Sequence, residues 1–183
     1  MIEIKHLIDI CLEASEKILE IYRKSDTDEM EIEYKSDNSP LTLADRLSHK
    51  IICSSLKNIY PNIPILSEEG ASIQYNERKD WEQFWLIDPI DGTKEFIKKN
   101  GEFTINIALI KKNTTELGIV YAPELKKCWY GTEEGSFTIE NEITKKIRVN
   151  HNVQEPIKVV ASRSHKSPML EVFLEIHKGH LCL

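Results

Sequence analysis

The stretch from residue 84 to residue 97 constrains the fold of this chain most, because it joins a buried segment to a tight acidic loop. It begins with the apolar run 84–87, which predicts a buried strand. Pro89 has no N–H to donate to a strand ladder, and it biases Asp88 toward an extended conformation. The strand is therefore predicted to end at Asp88-Pro89.

Two carboxylates, Asp88 and Asp91, then lie three residues apart in this loop. Asp91-Gly92 is a turn dipeptide, and Thr93 stands where a helix through residues 94–97 would begin. Free N–H groups at a helix start favour an anion, and carboxylates favour a hard cation, so the loop suits a phosphate and a metal together. A plain turn explains the same dipeptides, and only further carboxylates would favour the metal.

Composition narrows the class of protein. The chain has 183 residues, enough for one domain or a large part of one, and a net charge of −6 with scattered basic residues. This argues against binding a nucleic acid polymer but not against a small phosphorylated substrate. The four cysteines are far apart, which excludes the usual zinc spacings. No secretory or membrane-spanning run is found, so we expect a cytoplasmic protein, with a peripheral position at the inner face of the membrane as the alternative.

The remaining elements predict an α+β fold. Helical periodicity marks residues 3–23 and 43–60, with Leu43, Leu47, Ile51, Ser55, Leu56 and Ile59 facing inward on the second helix. Residues 71–81 read as a polar loop. Short β-type runs then predict an antiparallel meander, at residues 104–110, 117–121, 127–130, 136–139 and 145–149. A further strand at 157–161 and a helix at 167–176 complete a layered fold, with paired helices on a mainly antiparallel sheet.

Two more carboxylates join the loop if sequential elements are neighbours in space. Glu68 follows a short strand at residues 64–66, and Asp45 begins the second helix, where with Thr42 it also forms a capping-box pattern. Four converging carboxylates need cations, and a set of oxygen ligands alone points to Mg²⁺ rather than zinc. Two such ions suit the hydrolysis of a phosphate ester.

Several motifs in order resemble the inositol monophosphatase superfamily: Ser67-Glu68-Glu69, Asp88-Pro89-Ile90-Asp91-Gly92-Thr93, and residues 38–45, which read Asn-Ser-Pro-Leu-Thr-Leu-Ala-Asp. The continuation through residues 94–110, Tyr121-Ala122-Pro123 and Ser162-Arg163-Ser164-His165 is similar to the bacterial 3′(2′),5′-bisphosphate nucleotidases within that superfamily. The resemblance covers about residues 5–166. It implies the N-terminal portion of the layered α/β sandwich of these sugar-phosphatase folds.

The resemblance also implies roles for individual residues. The Mg²⁺ ligands would be Glu68, Asp88, the carbonyl of Ile90, and Asp91. Asp45 and Thr93 would orient and deprotonate the attacking water. The substrate would contact Glu68, Ile90, Asp91, the N–H groups of Gly92 and Thr93, Lys94 and His165. A structural interpretation stands beside these roles: Asp45 and Thr93 as caps, Glu68 as the polar start of a loop, Lys94 as a solvated lysine and His165 as a turn residue. Glu69 is expected to be a surface residue.

The implied activity is removal of the 3′-phosphate of adenosine 3′,5′-bisphosphate to give AMP and phosphate, in sulfur assimilation and with lithium sensitivity. Two alternatives stay open. One is an inositol or sugar monophosphatase of the same superfamily, which the continuation Lys94-Glu95-Phe96 disfavours. The other is an inactive fragment that retains metal binding.

The sequence departs from the family toward its end. The Trp-Asp-x-Ala-Ala-Gly type motif of the family is missing, since none of Trp81, Trp85 and Trp129 is followed by Asp. We therefore expect a domain at residues 1–166 and, at 167–183, the truncated start of a missing C-terminal portion. Such a chain would lack one metal ligand, have weak or no activity, and self-associate through an uncovered apolar face.

Overall fold

The computed structural model describes residues 2–24, 32–35, 40–151, 160 and 167–176. The chain divides into two units, residues 1–147 and residues 148–183. The predicted boundary at residue 166 lies outside the described residues, as do the predicted strand 157–161, apart from its residue 160, and His165. No helix in the described part of the chain is long and apolar enough to span a membrane.

Two long helices pack side by side, α1 (Ile4–Arg23) and α2 (Leu43–Ile59), close to the predicted bounds. The inward face predicted for α2 is correct in part: Leu56 is fully buried, and Leu43, Leu47 and Ile51 are partly buried against the core, whereas Ile59 is exposed. The fully buried residues of α2 are Ala44, Asp45, Ser48, Ile52 and Leu56. The partly buried apolar residues flank this narrow stripe, and α2 contacts both α1 and β4. Two polar residues, Asp45 and Ser48, are thereby buried beside the acidic loop.

The α+β prediction is confirmed by a seven-stranded sheet ordered β3-β4-β5-β6-β7-β8-β9. Its strands are β3 (Ile65–Ser67), β4 (Gln83–Asp91), β5 (Thr104–Lys111), β6 (Thr114–Ala122), β7 (Lys127–Thr132), β8 (Gly135–Glu140) and β9 (Ile143–Ile147). From β4 onward every neighbour pairs antiparallel, which is the predicted meander, and β3 pairs with β4 in parallel. A separate pair joins β1 (Glu33–Tyr34) to β2 (Pro40–Leu41).

Strand β4 does not end at Asp88-Pro89, so that prediction was wrong. The strand continues to Asp91 through an irregularity: Asp88 lies opposite Asn106, and Asp91 lies opposite Thr104. Pro89 falls inside this bulge, where no ladder hydrogen bond requires its missing N–H. The loop predicted at 71–81 also contains one helical turn, α3 (Tyr75–Arg78).

One face of the sheet is packed and the other is open. Alternate residues of β4, β5 and β6, such as Trp85, Ile107 and Ile119, are buried among side chains of α1 and α2. On the opposite face, Leu86 and Val120 are exposed beside a groove of about 560 Å³. The groove is mostly apolar, and Glu68, Asp88 and Asn106 form its polar end.

Three aromatic rings fix the acidic loop against α1. Tyr22, Phe96 and Phe103 contact one another with ring centroids 5.0–5.2 Å apart. Phe96 belongs to the short helix α4 (Thr93–Ile97), which directly follows the acidic loop. Lys99 Nζ donates to the carbonyl oxygen of Tyr22 at 2.6 Å. These contacts hold the start of α4 in place.

In the second unit, α5 (Pro168–Ile176) agrees with the helix predicted at 167–176. The N–H of Leu170 donates to Ser167 Oγ at 3.2 Å, a side-chain cap that satisfies one of the free donors of the first turn. Met169 and Ile176 on this helix are exposed.

Phe103→Ala is expected to lower the free energy of unfolding by about 3–5 kcal/mol, because it empties a fully buried site in the aromatic cluster. The measurement is a urea denaturation curve. Phe137→Ala is the matched control: Phe137 stacks on Tyr130 but is only partly buried, so its loss should be less than half as large. Equal losses would contradict this account of the core.

Candidate active site

Parallel pairing of β3 with β4 places Glu68 next to Asp88. Ser67 lies opposite Ile87, and the N–H of Glu68 donates to the carbonyl oxygen of Ile87 at 3.0 Å. The C-terminal ends of both strands therefore lie on the same side of the sheet. The predicted proximity of these two carboxylates is confirmed, and the sequence signal was a short apolar strand that ends in Ser-Glu-Glu.

Asp88 is the most perturbed carboxylate of the loop. Burial, the charge of Glu68 and then the charge of Asp91 raise the pKa of Asp88 to about 7. Its Oδ1 is buried and has no hydrogen-bond partner within the protein. Buried carboxylate oxygens are normally satisfied, so this oxygen is positioned to accept a ligand from outside the chain.

The bulge of β4 is held from both sides. Ser48 Oγ on α2 donates to the carbonyl oxygen of Pro89 at 2.9 Å. Asn106 Nδ2 on β5 donates to Asp91 Oδ2 at 3.3 Å, and the Asp91 side chain is exposed. Asn106 was not predicted as a site residue. A polar residue at an alternate position of an otherwise apolar strand was the available signal.

Asp45 uses its two carboxylate oxygens differently. Oδ2 accepts the N–H of Thr42 at 2.8 Å and also the Thr42 hydroxyl, which completes the predicted capping box. Oδ1 accepts the hydroxyl of Thr93 at 3.2 Å. Burial raises the pKa of Asp45, whereas the hydrogen bonds from Thr42 oppose the increase. The structure thus brings Asp45 and Thr93 together, as expected, and Asp45 is both a cap and a partner of Thr93.

Thr93 is oriented by the residues on either side of it. The N-cap of α4 is Gly92 in a left-handed conformation, with φ of 97°, and Thr93 is the first helical residue rather than the cap. Because its hydroxyl makes no capping hydrogen bond, the hydroxyl is free to point toward Asp45 Oδ1 and the carbonyl oxygen of Ile90, 3.3 Å away. Lys94 follows Thr93 and is exposed.

Lys35 contacts both glutamates at the end of β3, Glu68 and Glu69, and it was not predicted as a site residue. Its Nζ donates to Glu68 Oε1 at 3.0 Å and to Glu69 Oε1 at 2.6 Å. The Glu69 side chain is only 9% exposed, so the expectation of a surface residue was wrong. An isolated lysine before a turn-rich stretch gives no sequence signal for this contact.

The donor set has the chemistry that Mg²⁺ prefers, namely carboxylate and carbonyl oxygens without sulfur or nitrogen. The partnerless Oδ1 of Asp88 fits such an ion. Within the described residues, however, no three Asp, Glu, His or Cys side chains are arranged as a complete metal site. Glu68 contacts Lys35 and Asp91 contacts Asn106, while the side chain of Glu68 also interacts with that of Asp88.

Comparison with known proteins agrees with the motifs. A family model described as the inositol monophosphatase family matches residues 3–182. The 3′(2′),5′-bisphosphate nucleotidase CysQ of Salmonella typhimurium is 40% identical over 172 residues, which are 94% of this chain and 68% of that protein. The CysQ protein of Escherichia coli K12 is 41% identical over 162 residues, 88% of this chain and 64% of that protein. The chain thus spans about two thirds of these relatives.

Solved structures show the same fold. The crystal structure of CysQ from Bacteroides thetaiotaomicron, a bacterial member of the inositol monophosphatase family, superimposes with a TM-score of 0.79 at 36% identity, covering 98% of this chain and 70% of that one. The Thermotoga maritima IMPase TM1415 gives a TM-score of 0.75 at 23% identity, covering 97% and 65%, and this likeness concerns the fold alone. The resemblance inferred from the motifs is confirmed.

Gly92→Ala is expected to lower the free energy of unfolding by about 1–3 kcal/mol, since an alanine would be strained at this positive φ. Its Cβ would also lie 2.9 Å from the carbonyl oxygen of Glu102. Gly131→Ala is the matched control, because a Cβ there has no atom within 4 Å, and we expect a change below about 0.5 kcal/mol. Urea denaturation measures both, and equal effects would contradict the role given to Gly92.

Without metal, Asp88 is expected to make stability fall as the pH rises from about 4 to about 7. The unfolded aspartate titrates near 3.8 and the folded one near 7, so over this interval the folded state binds the extra proton. Stability from this group is complete below the unfolded pKa and is lost as the pH rises through the folded pKa. Asp88→Asn should remove this loss and be more stable than the parent protein at pH 8.

The measurement is a series of urea midpoints between pH 5 and 8 in EDTA for both proteins. The difference between the two profiles gives the contribution of Asp88 together with its interaction with the neighbouring carboxylates. Parallel profiles would show that the Asp88 pKa is not raised.

Proposed function

This chain belongs to the inositol monophosphatase family, and from that premise we propose that it is an Mg²⁺-dependent phosphatase that removes the 3′-phosphate of adenosine 3′,5′-bisphosphate, yielding AMP and phosphate in sulfur assimilation. The substrate class is supported by relatives at 40% and 41% identity that are named 3′(2′),5′-bisphosphate nucleotidases. The observation that carries the chemistry is the Thr93 hydroxyl donating to Asp45 Oδ1 beside the Asp88 loop.

The proposed cofactor would be held by Glu68, Asp88, the carbonyl oxygen of Ile90 and Asp91. When bound, Mg²⁺ supplies positive charge to the phosphate ester and lowers the pKa of a nearby water. Burial and then the charges of Glu68 and Asp91 raise the pKa of Asp88, and a cation held by these residues would offset both effects. Gly92, Thr93 and Lys94 adjoin these residues and are proposed to contact the substrate phosphate, as His165 is proposed to contact the substrate.

Thr93 and Asp45 form a two-step acceptor for the proton of the attacking water. The Thr93 hydroxyl donates its hydrogen to Asp45 Oδ1, so its oxygen lone pairs are available to accept a proton from water. As the water oxygen attacks phosphorus, its proton moves to Thr93 Oγ1 and the Thr93 proton moves to Asp45 Oδ1. The bond from phosphorus to the ester oxygen breaks, and that oxygen leaves as an alkoxide that takes a proton from a solvent water to become the nucleotide hydroxyl. Asp45 then returns its proton to the resulting hydroxide.

Burial suits Asp45 to this role. A carboxylate with a raised pKa is a stronger base than an exposed one, and burial raises the pKa of Asp45. Oδ2 is anchored by Thr42, so only Oδ1 faces Thr93. The side chain cannot rotate without breaking the helix cap, which keeps the acceptor oxygen in place.

Thr93→Val is expected to reduce kcat by about 10²–10⁴-fold, because it removes the hydroxyl and keeps the shape. Thr93→Ser, which keeps the hydroxyl, should retain most of the activity. Asp45→Asn should lose activity to a similar degree while its amide oxygen still caps α2. The measurement is phosphate release from adenosine 3′,5′-bisphosphate with and without Mg²⁺, on protein of verified mass and fold.

Inositol 1-phosphate serves as the comparison substrate. Faster release from it would support an inositol phosphatase instead of a nucleotidase. Equal activity of Thr93→Val and Thr93→Ser would contradict the proton path. No release from folded protein that binds Mg²⁺ would refute phosphatase activity for this chain and favour the inactive alternative.

A further inference from the structure

Lys35 is the cation that neutralises the acidic pair at the end of β3. Its ammonium nitrogen lies 3.0 Å from Glu68 Oε1 and 2.6 Å from Glu69 Oε1, and its side chain is 25% exposed. Burial opposes the charged form, but hydrogen bonds to Glu69 and Glu68 raise the pKa of Lys35 to about 12. The ammonium group is therefore charged at any physiological pH.

The two glutamates hold Lys35 unequally. Glu69 makes the shorter contact and its side chain is 9% exposed, whereas Glu68 makes the longer contact and is 51% exposed. Glu69 is thus the anchor of Lys35, and Glu68 is the more exposed and more weakly held partner. Glu68 also adjoins Asp88, whose Oδ1 has no partner within the protein.

We propose that Lys35 competes with Mg²⁺ for Glu68, so that binding of the ion releases Glu68 from Lys35 while Glu69 retains the lysine. This inference rests on the proposed function, because it takes Glu68 as a ligand. Lys35 acts here as a positioning residue that sets the affinity for the ion.

The test is the dissociation constant for Mg²⁺, measured by calorimetry without substrate. Lys35→Met should tighten Mg²⁺ binding about threefold to tenfold, since it removes both the competitor and a nearby positive charge. Lys35→Arg keeps the charge and should bind Mg²⁺ within about twofold of the parent protein. Lys17→Met is the matched control, because Lys17 pairs with Glu20 on the exposed side of α1, and it should leave the constant unchanged.

Glu69→Gln distinguishes competition of Lys35 for Glu68 from a general electrostatic effect of the Lys35 charge on Mg²⁺ binding. Without Glu69, Lys35 pairs with Glu68 alone and competes more strongly for it. Glu69→Gln should therefore weaken Mg²⁺ binding more in the parent protein than in the Lys35→Met variant. If charge alone acted, the two changes would be additive. Melting curves in EDTA verify that every variant is folded.

Unchanged or weaker Mg²⁺ binding by folded Lys35→Met would overturn the proposal, and so would additivity with Glu69→Gln or an absence of Mg²⁺ binding by the parent protein. The outcome is distinct from that of the activity assay. If Lys35→Met binds Mg²⁺ more tightly but the parent protein releases no phosphate, the competition is supported and the phosphatase activity is refuted. If the parent protein releases phosphate but Lys35→Met leaves the dissociation constant unchanged, the activity is supported and the competition is refuted.

Discussion

Parallel pairing of β3 with β4 determines where the acidic side chains of this protein lie. Elsewhere in the sheet neighbouring strands are antiparallel, but here Ser67 faces Ile87 and both strands run in the same direction. Glu68, which directly follows β3, therefore lies beside Asp88 of β4. Their mutual repulsion is the constraint to which the surrounding residues respond, with Lys35 at Glu68 and Asn106 at Asp91. Asp88 Oδ1 remains buried without a hydrogen-bond partner.

Periodicity was sufficient to predict α1, α2 and the antiparallel meander, because their apolar residues recur at regular spacing over many positions. It was less reliable for which face of α2 is buried. The buried stripe of that helix includes Asp45 and Ser48, and a pattern that counts polar residues as exposed cannot include them. Their burial is offset by hydrogen bonds to Thr42 and Pro89, which depend on tertiary structure.

The site was predictable where a motif is local and less so where it depends on chain folding. Thr93 with Asp45, and Glu68 with Asp88, were expected from their positions at element ends. Lys35 and Asn106 also contact acidic residues of the site, but neither belongs to a recognisable motif. The rule that proline ends a strand also failed at Pro89, since a bulge removes the need for its N–H.

The N-terminal cap of α2 couples the position of Asp45, the proposed base, to local unfolding of that helix. Thr42 N–H and Asp45 Oδ2 form a buried hydrogen bond, so the amide of Thr42 exchanges with solvent only when the first turn of α2 opens. The same opening releases Asp45 Oδ1 from Thr93. Amide exchange at one backbone position therefore reports how often the proposed proton acceptor is out of place, in the native protein and without any substrate.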